Sequence, residues 1–327
     1  RDDHGALRFT REGAHSRPRI LFHEDITGHE ITQTLLNEVL RCENIELREH
    51  TTLLDFFADA SACGGVIAAG PDGEPRAIWA GAVVLACGGI GGLYKNSTNF
   101  PHITGDAIAM ALRHGVACEH LDYIQIHPTT LYSHRKGRRF LISESVRGEG
   151  ALLLDKNGNR FTNELQPRDV VSAAIRAQME KDSTDCVWED MRPIGEAAIR
   201  EHFPNILERC EEEGYDPIHE PIPVVPAQHY FMGGITADLS SRTALPRLYA
   251  CGETCCNGVH GRNRLASNSL LESLVFAQRA ADDILYGEPP VFTGDKPDLA
   301  PYREQEPLFA AYRQEVLTAI ERSKNHE

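Results

Sequence analysis

The sequence contains no stretch able to cross a membrane as a helix. Its longest low-charge run, "AIWAGAVVLACGGIGGLY" at 77–94, is interrupted by five glycines after Ala80. A span needs about 20 consecutive apolar residues, so a buried strand ending in a glycine-rich turn is expected instead. Positive charge is scarce: 33 lysines and arginines face 48 aspartates and glutamates, a net charge of -15. Nucleic acid and anionic membrane surfaces are thereby excluded as main partners, while a local basic pocket for a small dianion remains open. None of the nine cysteines (Cys42, Cys63, Cys87, Cys118, Cys186, Cys210, Cys251, Cys255 and Cys256) stands in a CxxC pair. An odd count without such pairs excludes a disulfide framework and implies a reducing, cytoplasmic compartment. "CGETCC" offers adjacent Cys255 and Cys256 but no matching His or Cys pair, so no metal is expected. Also missing are an initiator Met, a signal peptide at the charged opening "RDDHGALRFTREG", a GxGxxG at any strand–helix junction, internal repeats and low-complexity tracts. The chain is expected to begin inside a larger protein.

What is present alternates between helical and extended patterning, and 327 residues lead to an expectation of two domains. "GHEITQTLLNEVLR" places Ile31, Leu35, Leu36, Val39 and Leu40 on one helical face, and "NIELREHTTLLDFF" reads as extended. A hairpin about Pro71-Asp72-Gly73 leads into a buried strand, Ala82–Cys87, and "TGDAIAMALRHGV" forms a helix closed by Gly115. From 122 the character changes. "DYIQIHPTTLY" alternates as a strand, "GEGALLLDKNGNRF" turns at Asn157-Gly158, and "PRDVVSAAIRAQMEK" is a helix opening with proline. The acidic stretch 185–225 carries one further helix, "IGEAAIREHFPNILERCEEEG". Alternation returns near 230 with "HYFMGGITADLSSRTALPRLYACGE", and a last helix lies in "PLFAAYRQEVLTAIERSKN". The pattern is one α/β domain interrupted by an insert.

Two strand-to-glycine junctions carry the first functional signal: "VVLACGG" at 83–89 and "LYACGE" at 248–253. Open α/β sheets bind ligands at strand C-terminal ends, and glycine admits a cofactor to the backbone; tight turns needing positive φ leave the same trace. In "HGRNRLASNSLLESLVF", 260–276, Ser269 and Glu272 have capping-box spacing. Behind them Leu270, Leu271, Leu274, Val275, Ala281 and Ile284 recur as the buried face of a helix. Arg262 and Arg264 precede its open end, where free N–H groups favour an anion; solvated arginines beside an ordinary capped helix fit equally. A dispersed basic set, His127, Arg168, His229 and Arg264, lies beside loop-forming residues. If the insert closes over the sheet edge, these four converge on a substrate with two carboxylates, arginine through paired N–H donors and histidine as a further donor.

"QIHPTTLY", "RGEGALLLDKNGNRF", "PRDVVSAAI", "HYFMGGI" and "LYACGETCCNGVHGRNRLASNSLLE" carry a resemblance, in order and spacing, over nearly the whole chain. The chain resembles the succinate dehydrogenase/fumarate reductase flavoprotein superfamily. "FTREGAHSRPRILFHEDITGHEI" at 9–31 and "RLASNSLLE", where dehydrogenases and reductases usually read Gly-Gly-Asn-Ser, are similar to its L-aspartate oxidase branch. The resemblance implies an α/β fold: a discontinuous Rossmann-like FAD-binding domain (1–121 and 231–290), an inserted α+β capping domain (122–230), and the start of a C-terminal helical domain (291–327). It implies non-covalent FAD, with Ser269 and Leu270 at the isoalloxazine, Glu253 on the ribitol side, and Asp106 and Gly88 near the cofactor.

The activity so implied is oxidation of L-aspartate to iminoaspartate in quinolinate and NAD biosynthesis, with dioxygen or fumarate as electron acceptor. Arg168 is the implied proton-transfer residue, with Asp169 or Glu144 as relay, since an arginine pKa above about 12 demands such pairing. His127, His229 and Arg264 clamp the carboxylates, Ser143 adds a hydrogen bond, and Glu12 meets the substrate ammonium, penalising succinate through an unpaired charge. Fumarate and succinate are analogues, and quinolinate synthase is the implied consumer of the product. A fumarate reductase or succinate dehydrogenase flavoprotein subunit shares the clamp but not Glu12; a non-catalytic carboxylate-binding module is the reading from another class. The family's GxGxxG unit and Ser/Gly-rich flavin stretch are not in the sequence. The chain by itself is therefore expected to lack the pyrophosphate site and to hold no FAD.

Overall fold

The computed structural model describes residues 5–10 and 15–324. A short pair, β1 (Phe9–Thr10) and β2 (Ile20–Leu21), precedes helix α1 (Thr27–Val39). β3 (Thr52–Ala58), β4 (Cys63–Ala69) and β5 (Pro75–Trp79) form an antiparallel meander. β6 (Val83–Leu85), α2 (Asp106–Arg113) and β7 (Cys118–Glu119) follow. The inserted part holds β8 (Ile124–Leu131), α3 (Glu144–Gly148), β9 (Leu152–Leu154), α4 (Arg168–Asp182), β10 (Val187–Asp190), α5 (Glu196–His202), α6 (Pro204–Glu212) and β11 (Ile222–Phe231). The chain returns through β12 (Gly234–Thr236), β13 (Leu248–Ala250) and β14 (Cys255–Cys256) to α7 (Asn268–Tyr286) and α8 (Gln305–Lys324).

Apolar burial divides the molecule into two main cores. Leu131, Leu153, Val171, Ile175, Val187, Ile206 and Val224 fill the insert, under a four-stranded sheet ordered β8-β11-β10-β9. Phe56, Leu85, Ile108, Met110, Phe231, Tyr312 and Val316 fill the other, which unites β3, β6, α2 and α8. β11 feeds both, with Val224 in the first and Phe231 in the second. The residues between them, Gln228 and His229, are thus held at the seam. β6 and β13 pair in parallel, so the two glycine junctions emerge side by side at the strands' C-terminal ends.

Three local expectations are corrected. The single helix over 194–214 is two, because Pro204 lacks an N–H; α5 stops at Phe203 (φ -130, ψ 45) and α6 restarts with proline. The capping box does not form. α7 begins at Asn268 behind a left-handed Ser267 (φ 63), with no side-chain cap, and Glu272 instead accepts from Asn257 Nδ2 at 2.6 Å and Tyr230 OH at 3.5 Å. Nor is the apolar face of α7 buried: Phe276 and Ala280 are covered, while Leu271 is 61% exposed and Leu274 and Val275 are open too. α1 likewise buries no residue. Among the described residues no helix is long and apolar enough to cross a membrane, and no cluster of His, Cys, Asp or Glu could hold a metal ion.

Candidate active site

The pairing of β8 with β11 is irregular twice, between Val225 and Ala227 and between Gln228 and Tyr230. Pro128 and Pro226 cannot donate to the ladder, which accounts for the first. The second leaves His229 without a partner in register, and such a bulge re-aims its side chain. The His229 ring meets the His127 ring edge to face, centroids 5.2 Å apart. His127 Nδ1 lies 2.9 Å from the Thr129 carbonyl and 3.2 Å from the Thr129 N–H, and its Nε2 is buried without a hydrogen-bond partner. His229 Nδ1 is 2.9 Å from Thr98 Oγ1. Burial, and then the Arg168 guanidinium, hold both imidazoles well below the ordinary histidine range. Both are neutral at neutral pH, so fixed positive charge here comes from arginine.

Arg168 opens α4 directly after Pro167. Its Nε donates to Glu144 Oε2 at 2.7 Å, its Nη2 lies 2.6 Å from the same oxygen, and its Nη1 donates to Gln125 Oε1 at 2.9 Å. The Gln125 amide donates in turn to the Arg264 carbonyl at 2.8 Å and Asn263 Oδ1 at 2.9 Å. One glutamine thus ties the insert's arginine to the loop that bears the other. Sequence reasoning passed over Gln125, although strand alternation sets it on the face of His127, two positions on. Arg264 is buried; its Nη1 donates to Ser269 Oγ at 3.1 Å and its guanidinium stands 4.6 Å from the Tyr230 ring centroid. Arg262 turns away, toward Asp122 at 3.8 Å and the Tyr123 ring, so one arginine rather than two faces the helix start.

Of the two relay candidates, Glu144 touches Arg168 whereas Asp169 is exposed. Ser143 caps α3, its hydroxyl accepting the Ser145 N–H at 3.3 Å. Glu12 lies outside the described residues. A cleft of about 30 Å³ runs between Glu144, Arg168, Arg264 and Ala266. Roomier clefts, about 280 and 490 Å³, lie around Arg242 and Asp283, but there Arg242, Tyr249 and Asp283 bind one another. The chemistry gathers at the smaller one.

On the sheet side, Gly88 takes a left-handed φ of 78° after β6, and its carbonyl accepts from Thr254 Oγ1 at 3.1 Å. The Glu253 carboxylate accepts the Phe231 N–H at 2.9 Å and lies against Gly89, where an added Cβ would come within 2.6 Å of it. Burial pushes its carboxyl up to about 7. Asp106, at the start of α2, accepts from Thr104 Oγ1 at 2.7 Å, and burial raises it as well. Ser269 and Leu270 occupy the first turn of α7, where the N-cap residue Ser267 makes no side-chain cap. Donors at the start of a 19-residue helix, beside Arg264, fit the electron-rich edge of a flavin.

The chain matches the family model described as FAD binding domain over residues 1–270. It is 50% identical over 285 residues to an L-aspartate oxidase of Clostridium perfringens, covering 87% of this chain and 64% of that protein. To an L-aspartate oxidase of Nostoc sp. it is 45% identical over 335 residues, 96% of this chain and 58% of the relative. Among solved structures, a quinol–fumarate reductase with menaquinol superposes at a TM-score of 0.82 and 34% identity, over 96% of this chain and 57% of the other. A variant of E. coli quinol fumarate reductase gives 0.81 at 32%, over 96% and 56%. The chain spans less than two thirds of the length of each of these proteins. The family match and these relatives show that the chain belongs to the FAD binding domain family, within the succinate dehydrogenase/fumarate reductase flavoproteins, whose cofactor is FAD.

Proposed function

We propose that the protein carrying this chain oxidises L-aspartate to iminoaspartate, passing the electrons on to dioxygen or fumarate. The observation that carries this reading is the meeting of His127, His229, Arg168 and Arg264 at the seam between two cores, beside the uncapped start of α7. FAD, when bound, supplies the acceptor for the hydride that leaves Cα; Gly88, Asp106, Glu253, Ser269 and Leu270 are its neighbours in this chain. Arg264 and Arg168 face the substrate carboxylates with paired donors. The neutral histidines add donors without adding charge. To donate to a carboxylate His127 must carry its proton on Nε2, which exchanges the 2.9 Å bond of Nδ1 to the Thr129 carbonyl for acceptance from the Thr129 N–H at 3.2 Å. As Cα gives up its hydride, the ammonium of aspartate, paired with Glu12, gives up one proton to leave the iminium; Arg168 would transfer that proton, and Glu144, which holds Arg168, would relay the proton to solvent. Ser143 adds a hydrogen bond from the α3 start. The cleft of about 30 Å³ is lined by Gln166 and Pro167 on one side and by 263–266 on the other, and a four-carbon diacid needs these two sides further apart.

The division into an FAD-binding part (1–121 and 231–290), a cap (122–230) and a start of a helical part (291–327) belongs to the same proposal. So do a cytoplasmic setting and delivery of iminoaspartate to quinolinate synthase for NAD biosynthesis. The similarity to L-aspartate oxidases supports aspartate as substrate. The likeness to fumarate reductases favours the second reading, a fumarate reductase or succinate dehydrogenase subunit. Anaerobic mixing of the flavin-loaded, full-length protein with each reductant separates them. Bleaching by aspartate and not by succinate is expected; the reverse supports the second reading. Succinate binding with no flavin and no turnover would make the protein a carboxylate-binding module.

A further inference from the structure

The insert holds a carboxylate that neither its fold nor the proposed chemistry uses. Glu189 sits in the middle of β10, opposite Leu153 of β9 and Ile222 of β11, and is fully buried. Both of its oxygens lack a hydrogen-bond partner. Arg147 of α3 is buried too, and its Nε and Nη2 are likewise without a hydrogen bond. Acceptors without donors and donors without acceptors thus share one core, and each group feels the other's charge. Two more titratable groups face Glu189: Glu164, which the exposed Arg160 neutralises at 2.7 Å, and the Cys210 thiol of α6, which Glu189 helps to push up. Arg147 Nη1 donates to the Glu164 carbonyl at 2.7 Å, and its Nη2 lies 3.7 Å from Glu144 Oε1. The other oxygen of Glu144 is the one that holds Arg168. Buried charges therefore follow one another from Glu189, which reaches Arg147 through its field and not through a hydrogen bond, to Arg147, Glu144 and Arg168 at the cleft.

We propose that Glu189 is a positioning residue that sets the net charge of the Arg147–Glu144–Arg168 group and, through it, the affinity of the cleft for a dicarboxylate. This rests on the reading of the cleft given above. A carboxyl with unpaired oxygens in an apolar core keeps its proton, and burial pushes Glu189 up to about 8. With the proton on, two guanidiniums face one carboxylate and the group is net positive. When the proton leaves, Glu189 cancels that charge, and the cleft loses its bias toward dianions. The partners of Glu189 across the ladder, Leu153 and Ile222, are apolar, so strand pairing does not call for a carboxylate there.

The test is succinate binding to the flavin-loaded, full-length protein by calorimetry across pH 6.5 to 9.5. Succinate carries no ammonium, so its charge is constant over that range. Wild-type affinity is expected to fall roughly three- to tenfold with rising pH. Glu189→Gln, which mimics the protonated acid, and Glu189→Leu should both keep neutral-pH affinity and lose the part of the fall centred near pH 8, leaving what Glu253 contributes near pH 7; the glutamine variant decides if the leucine variant does not fold. An identical pH profile in wild type and Glu189→Gln overturns the inference while leaving the cleft intact. Infrared spectra give a second readout: a buried carboxylic-acid band is expected at pH 7, absent in Glu189→Gln and gone by pH 9.5. A band unchanged by the substitution also overturns it. If the wild type binds no succinate at all, the reading of the cleft fails and this inference falls with it.

Discussion

The imidazoles of His127 and His229, on neighbouring strands, meet edge to face with their centroids 5.2 Å apart, and neither carries charge at neutral pH. Burial and the Arg168 guanidinium prevent it. The linkage has a definite sign. An unfolded histidine takes its proton near pH 6.5 and these folded ones far lower, so between the two values the unfolded chain binds more protons. The stability contributed is complete above about pH 6.5 and is lost as pH falls, by up to about 1.4 kcal/mol per pH unit for each ring. Urea midpoints should therefore drop from pH 7.5 to pH 5.5, and His229→Gln should shrink that drop. An unchanged drop in the variant would show that the buried ring is not its source.

Glu144 concentrates two contacts from Arg168 on one oxygen, at 2.6 and 2.7 Å. Glu144→Gln keeps the shape and removes the charge. Loss of a positioned proton partner costs roughly 100-fold or more, so flavin reduction by aspartate should slow by about that factor in stopped-flow traces. Succinate binding should persist, because Arg168 stays charged. Asp169→Asn, at the exposed neighbour, should leave both unchanged. A slow Asp169 variant beside a fast Glu144 variant would reverse the assignment of the relay.

Much of this arrangement is written locally. The meander of β3, β4 and β5 follows from alternation about Asp72-Gly73, and α4 and α8 from helical spacing bounded by proline and polar residues. The glycine junctions were visible because turn chemistry needs only neighbours. What escaped depends on distant partners. Glu272 has the spacing of a capping box, yet Asn257 and Tyr230 claim its carboxylate. Leu271 and Val275 have the period of a core face, but burial requires something to cover them, which no period reports. Strand β10 is four residues, too short to show a pattern. Gln125 looks like any polar strand residue until Arg168 and Arg264 are brought to its two ends. The roles given to Arg168 and Glu12 came from the family resemblance, since one arginine among many carries no mark of its own.

The seam itself is sterically tight. β11 leaves the cap through Met232 and Gly233, and a Cβ on Gly233 would stand 2.0 Å from the His120 carbonyl oxygen, a backbone atom that cannot step aside. Gly233→Ala should therefore cost about 2–3 kcal/mol, as overpacked sites do, and lower the thermal midpoint by several degrees. Gly148, at the end of α3, meets nothing within 4 Å. Gly148→Ala should be neutral or stabilise by up to about 1 kcal/mol, since alanine is the better helix former. Differential scanning fluorimetry of the pair checks both signs; equal midpoints would mean that the seam relaxes more easily than its backbone contact implies.

In the proposed function, specificity between aspartate and succinate turns on the one charge the two compounds do not share. His15, three positions after Glu12, is buried and has its Nε2 3.1 Å from the Ala266 carbonyl, in the loop that carries Arg264. His15 is thus tied to the loop that carries Arg264, and Glu12 itself lies outside the described residues. An ion-paired hydrogen bond to the substrate ammonium is worth about 1.5–3 kcal/mol, or roughly ten- to a hundredfold in kcat/KM. Glu12→Gln should lose that much with aspartate. Fumarate has no ammonium, and under the proposed role Glu12 would repel it, so its reduction by the same variant should hold or improve. Steady-state kinetics in both directions on one preparation decide the matter: equal losses for the two substrates would take Glu12 out of ammonium recognition and leave the clamp to explain binding alone.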